Sequence, residues 1–148
     1  DLPAANVRAA TALVQRESVA LTALAGPMPT HPHKAVVLHF FRTQDDGLSL
    51  EGLERVRRRY QGKGVAILAI ATDAPDFSGL AAWVSTRSVR FPVLHDVHQI
   101  VSSRYAVSTY PLTMVIDGRG RLFAIGQPNS GEMESELSAE LDGLLSQP

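Results

Sequence analysis

The side chains able to do chemistry here are defined first by one that is missing: the 148 residues contain no cysteine. Thiol–disulfide exchange is closed to this chain, because the thiolate is at once nucleophile and resolving group. Asp45 and Asp46 come closest to a paired-carboxylate site. General acid–base work would need burial to raise their pKa values, and an Asp-Asp-Gly turn offers none. Capping of a following helix, whose dipole favours carboxylates, accounts for them. Five histidines are present, including His31-x-His33 and His95-x-x-His98, but neither pair has the spacing of a zinc site. His39 falls inside an apolar run and reads as a hydrogen-bonded core residue. No Gly-rich phosphate loop, Gly-x-Ser-x-Gly elbow or locally aligned Ser-His-Asp set occurs. Residue types therefore give no catalytic residue, no metal ligand set and no cofactor.

Two further groups carry charge or aromatic surface. Arg55, Arg57, Arg58, Arg59 and Lys63 form a basic run that reads as the solvated face of a helix, with partner docking as the second reading. Lacking aromatic interleaving and a positive balance, it does not point to nucleic acid. Trp83 is expected off the apolar face of its helix, half-buried under a loop or exposed for contact.

The elements that must position these residues alternate between strand and helix patterns, the signature of an α/β or mixed α+β domain. Residues 4–15 have weak helical periodicity, and Ser18–Ala25 reads as a short strand. Three prolines between Gly26 and His33 make a loop. Lys34–Phe41 and Gly64–Ala71 are near-continuous apolar runs, as in strands covered on both faces. Between them, a helix opening at Ser49 carries the stripe Leu50, Leu53, Val56 and Tyr60, and ends near Gly62 and Gly64. Asp76 is a plausible N-cap for a helix with Phe77, Leu80, Ala81 and Val84 inside. Phe91–Leu94 is extended, and Gln99–Tyr105 suggests a short helix. Leu112–Ile116 and Arg121–Ile125 form an antiparallel hairpin around Asp117-Gly118. Asn129 and Glu132 read as a capping box opening a last helix that buries Met133, Leu137, Leu141, Leu144 and Leu145.

Composition bounds the class. Apolar content of 45% with 20% charged residues suits one globular domain over residues 1–148, and the phrases that carry a family resemblance span about 18–146 of it. A formal net charge of −1 provides no field for nucleic acid or anionic membrane, and no apolar run is long enough to insert in a bilayer. The chain opens at Asp1 with neither Met nor a basic leader, so a signal peptide or anchor is expected to have been removed.

Four phrases, in this order, resemble the thioredoxin superfamily and within it the TlpA-like/redoxin group of thiol–disulfide oxidoreductases. Ala35-Val-Val-Leu-His-Phe-Phe-Arg-Thr43 is similar to the core strand that ends in Phe-Trp-Ala-Thr before Trp-Cys-x-x-Cys. Leu53–Tyr60 with Lys63-Gly64-Val65 resembles the next helix and strand. Phe91-Pro-Val-Leu-His-Asp96 through Tyr105-Ala106-Val107 resembles the Phe-Pro-Val-x-x-Asp and Tyr-Gly-Val segments. Tyr110-Pro111-Leu112-Thr113-Met114-Val115-Ile116-Asp117 aligns without gaps to the cis-Pro strand. The resemblance implies a thioredoxin-like three-layer fold: a central mixed sheet flanked by helices, with an N-terminal extension. It also implies export to the periplasm.

Two departures decide what is left. Gln44 stands at the family's Trp, Asp45 at its first Cys and Leu48 at its second, and the turn is shorter than the family's. Leu112 replaces the Thr that commonly follows the cis-Pro. By the resemblance, Pro111 is cis and leaves the backbone of Thr109 and Tyr110 open to an extended peptide, a mode that needs no sulfur. The expected site is therefore the turn Gln44, Asp45, Asp46, Gly47 and Leu48 with the edge Thr109, Tyr110 and Pro111. The expected function is a redox-inactive module for a polypeptide partner, in assembly or as a chaperone. Two alternatives stay open: an oxidoreductase or peroxidase using a bound thiol cofactor, and a metal-handling protein using His31 and His33.

Overall fold

Ala35–Phe41 (β1) and Val65–Ala71 (β2) are buried along almost their whole length, as strands in the middle of a doubly covered sheet must be. They pair in parallel, from Ala35 opposite Val65 to Phe41 opposite Ala71. The computed structural model describes residues 34–43, 47–73, 77–87, 89–91, 93–96, 99, 102–103, 106–119, 121–126 and 132–147. The helix and strand expected over 4–15 and Ser18–Ala25, and the cap at Asp76, lie outside these residues.

Parallel strands require a crossover, and Gly47–Arg59 (α1) supplies it. Gly62 and Gly64 adopt φ of 78° and 81°, the left-handed region that glycine enters without a Cβ penalty. The Gly64 carbonyl accepts the N–H groups of Lys34 and Ala35 at 2.8 and 3.2 Å, so the chain enters β2 already in register with β1. Phe77–Ser85 (α2) leads to Val93–His95 (β3), which is parallel to β2. Leu112–Asp117 (β4) runs antiparallel to β1, and Leu122–Gly126 (β5) antiparallel to β4. Met133–Leu145 (α3) ends the domain. The sheet order is β3-β2-β1-β4-β5.

Alternation along the strands divides the core. On one face Val37, Phe41, Ile67, Ala69, Val93 and Val115 meet the stripes of all three described helices: Leu50, Leu53, Val56 and Tyr60, then Leu80 and Val84, then Met133, Leu137, Leu141 and Leu144. On the other face Leu38, Phe40, Leu68, Ile70, Leu94, Leu112, Met114 and Ile116 form a second cluster, with Val107 and Tyr110 packed on it.

The helix face is fastened by polar bonds as well as packing. A Cβ on Gly52 would sit 2.8 Å from Met133 Cε, which marks the close approach of α1 and α3. Glu54 is 3% exposed. Its carboxylate accepts Arg57 Nε and Nη2 at 2.9 and 2.8 Å, Arg58 Nε at 3.2 Å and the Arg90 backbone N–H at 2.9 Å. Burial pushes its pKa upward, but the bonds from Arg57, the Arg90 N–H and Arg58 outweigh it, so the net shift is downward. Tyr60 Oη donates to the Ser138 carbonyl and to Asp142. Burial first, and then the Asp142 bond, hold that phenol above its usual pKa.

Several expectations shift. The basic run is a solvated face, as expected, with Arg55, Arg58, Arg59 and Lys63 exposed, but its members also have partners. Besides the Glu54 knot, Arg55 pairs with Glu134, Arg59 donates to Ser138 Oγ at 2.7 Å, and Lys63 lies 5.6 Å from the Tyr60 ring centre. Trp83 packs on the core against Phe41, ring centres 5.6 Å apart, since position 83 is one turn from Leu80 and on its side of α2. The Arg87 guanidinium lies over the Trp83 ring, 4.2 Å from its centre. α3 takes Glu132 as N-cap, with no side-chain cap bond. The cap stands three residues after Asn129 and the helix starts at Met133, so the Asn129/Glu132 box does not open it. Of the predicted Gln99–Tyr105 helix, the described residues are Gln99, in a tight helical turn, and Ser102–Ser103, also helical, in line with the expectation.

Candidate functional site

Parallel strands bring their C-terminal ends to one rim, which is where open α/β sheets bind their ligands. Here the rim is built from Arg42 and Thr43 after β1, Thr72 and Asp73 after β2, and Asp96 after β3. Because β4 runs antiparallel to β1, its entry segment Thr109-Tyr110-Pro111 arrives at the same rim.

Short residues fix the loops at the strand ends. The Asp73 carboxylate accepts the Thr43 N–H at 2.8 Å and the Thr43 hydroxyl at 3.2 Å. The Thr72 N–H and hydroxyl both reach the Phe41 carbonyl, at 3.1 and 3.3 Å. Gln99 Nε2 donates to the Thr72 carbonyl at 3.3 Å. Asp96, 3% exposed, receives the Ser102 N–H and hydroxyl. The Ser102 and Ser103 carbonyls then hold the N–H groups of Val107 and Ala106. Ala106 sits at φ 58°, a left-handed conformation that strains a residue with a Cβ. It stands where the resembling family has glycine.

The β1–β4 ladder begins at the Phe40–Leu112 pair, so Thr109, Tyr110 and Pro111 precede it. Thr109 is exposed, and Tyr110 and Pro111 are half-buried. The Tyr110–Pro111 peptide bond is cis. The Arg42 guanidinium lies 5.6 Å from the centre of the Tyr110 ring, a distance at which a cation is attracted to an aromatic face. This contact joins the end of β1 to the proline segment. On the helix side of the sheet, His39 is fully buried, with Nδ1 2.9 Å from the Thr113 hydroxyl and its ring stacked on Phe41.

Of the site residues expected from sequence, Thr109, Tyr110 and Pro111 stand together on this rim. Gly47 and Leu48 form the first turn of α1. Gln44, Asp45 and Asp46 lie outside the described residues, as do His31, His33 and His98. Among the described residues no group of three or more His, Asp and Glu could hold a metal ion, and no helix is long and apolar enough to cross a membrane. Sequence reasoning missed Arg42, the Thr43–Asp73 clamp and the Asp96–Ser102 bonds. Only the first had a visible signal: a cation where the resembling strand carries alanine.

The rim's carboxylates and hydroxyls are bonded to one another, Asp73 with Thr43 and Asp96 with Ser102, which leaves the Arg42 guanidinium, the Tyr110 ring and exposed Thr109 as its chemically distinctive groups. Solved structures share this frame. A protein described as a thiol:disulfide interchange protein DsbE from Chlorobium tepidum superposes with a TM-score of 0.70 at 19% identity, over 78% of this chain and 82% of that one. A secreted disulfide oxidoreductase of Mycobacterium tuberculosis gives 0.57 at 21%, over 80% and 85%. An uncharacterised thioredoxin-like protein from Porphyromonas gingivalis gives 0.65 at 21%, over 76% of each chain. No curated protein matches the chain. These likenesses establish the thioredoxin-like fold. The AhpC/TSA family model matches residues 7–125, and the chain therefore belongs to the AhpC/TSA family.

Proposed function

We propose that this domain is a redox-inactive member of its family that holds a polypeptide partner at the rim, in assembly or as a chaperone. The observation that carries the reading is the placement of Thr109-Tyr110-Pro111. The segment stands ahead of the β4 ladder, is exposed at Thr109 and is braced by Arg42 against the end of β1. An extended peptide laid along it would gain backbone hydrogen bonds by strand addition, with the Tyr110 ring and Arg42 as side-chain contacts. Absence of cysteine removes thiol exchange from the 148 residues and leaves that surface intact. We place the protein outside the cytoplasm, in the periplasm or an equivalent exported location. The similar Mycobacterium tuberculosis protein, described as secreted, supports this placement.

The test has two arms. Insulin reduction and peroxide consumption should both be blank with this protein, with or without added glutathione. Turnover that depends on added thiol would replace the binding reading with a thiol-cofactor enzyme. In the second arm, wild type and Tyr110→Ala are used as baits in extracts of the exported fraction of the source cell. Loss of the captured polypeptide in the variant, with an unchanged melting transition, supports the rim as the site.

A further inference from the structure

The molecule has a second candidate for strand addition, away from the rim. β5 is the last strand of the sheet, and its outer edge has no strand partner among the described residues. Natural edge strands are commonly guarded by lysine, proline, inward-pointing charge or a bulge, because a bare edge pairs with other chains; of these, β5 carries only the bulge. The five residues of β5 (LFAIG) carry no charge. The two large hydrophobic side chains exposed among the described residues, Phe123 at 37% and Ile125 at 52%, both belong to it. The ladder pairs Met114 with Ile125 and Val115 with Ala124 but then Ile116 with Leu122, so Phe123 is the extra residue of a bulge, and both exposed side chains stand clear of the half-buried Leu122, Ala124 and Gly126. The irregular pairing between Val115/Ile116 and this strand shortens the regular ladder but leaves both side chains in the open.

The size of this surface argues for its occupant. An edge about 17 Å long on a sheet about 10 Å thick presents on the order of 200 Å². Stable association of two folded proteins takes about 800 Å² from each. A second copy of this chain docked edge to edge falls well short of that area. A single extended segment needs only the ladder and two side-chain contacts. We infer that the β5 edge receives an extended, uncharged polypeptide segment with β-branched or aromatic residues at alternate positions. This surface is independent of the rim, and its affinity is modest.

The probe is a fluorescein-labelled peptide of alternating Thr and Val, followed by anisotropy against the folded protein. Saturable binding is expected, weakened at least tenfold by Phe123→Lys with Ile125→Lys and unchanged by Tyr110→Ala. The same peptide with a central proline, which lacks the ladder N–H, should bind at least tenfold more weakly to wild type. That arm needs no protein variant and stands even if the lysine variants fail to fold. Equal binding of the proline peptide, absence of binding by either peptide, or loss through Tyr110→Ala alone overturns the inference. So does a wild-type dimer in sedimentation that the lysine variants convert to monomer, which would make a second copy the occupant.

Discussion

The helix face and the rim use similar side chains to opposite ends. On the helix face, arginines, carboxylates and a phenol are consumed by one another. Glu54 collects Arg57, Arg58 and the Arg90 N–H, Tyr60 spans to Ser138 and Asp142, and Arg55 and Arg59 hold Glu134. On the rim, Thr109 is exposed, Tyr110 is half-buried, and Arg42 braces the phenol ring without enclosing it. A fold that keeps one end open must be closed firmly elsewhere, because net stability is a small difference between large terms. The two regions should therefore respond differently to substitution: stability changes on the helix face, and binding changes on the rim.

The largest stability effect belongs to Glu54. Glu54→Gln removes the charge to which two arginines and a backbone N–H are directed, and should cost about 2–3 kcal/mol in urea unfolding. The loss is pH-dependent. A carboxylate whose folded pKa lies below its unfolded value contributes stability above the unfolded pKa and loses it as pH falls through the folded one. Wild type and variant should therefore converge as the pH drops below the ordinary glutamate range. A difference that stays constant with pH would mean that packing, not charge, explains the loss.

That knot also shows where sequence reading stops. β1 and β2 are legible because a strand covered on both faces must be apolar throughout, and α1 because Leu50, Leu53, Val56 and Tyr60 recur at helical spacing. The hairpin is legible because Asp117-Gly118 specifies a turn. Glu54 reads as one more exposed helix carboxylate, since nothing local shows that Arg90, 36 residues on, will place an N–H over it. The same holds for Thr43 with Asp73 and for His39 with Thr113, separated by 30 and 74 residues. The proline side of the site was legible from the phrase around Pro111. Its brace, Arg42, needed the sheet register to bring it to Tyr110.

Smaller effects sharpen the contrast. Tyr60→Phe keeps the ring in the core but removes the donor to Ser138 and Asp142, and should cost about 1–2 kcal/mol by thermal melting. Ala106→Gly, on the approach to the rim, should stabilise by about 1 kcal/mol, because glycine adopts the left-handed conformation that strains alanine. No gain would mean the strain is already relieved. Glu140 has its pKa raised by burial and then by Glu136, one turn away. A raised folded pKa makes the ionised form a cost at neutral pH. Glu140→Gln should therefore add about 0.3 kcal/mol at pH 7, and that gain should vanish in acid.

The central claim is that the rim holds a polypeptide without thiol chemistry. Its most direct test is quantitative capture by wild type and Tyr110→Ala, read beside the melting curves of both. The account predicts a folded variant that has lost the captured polypeptide. Identical partners at identical yield would contradict it.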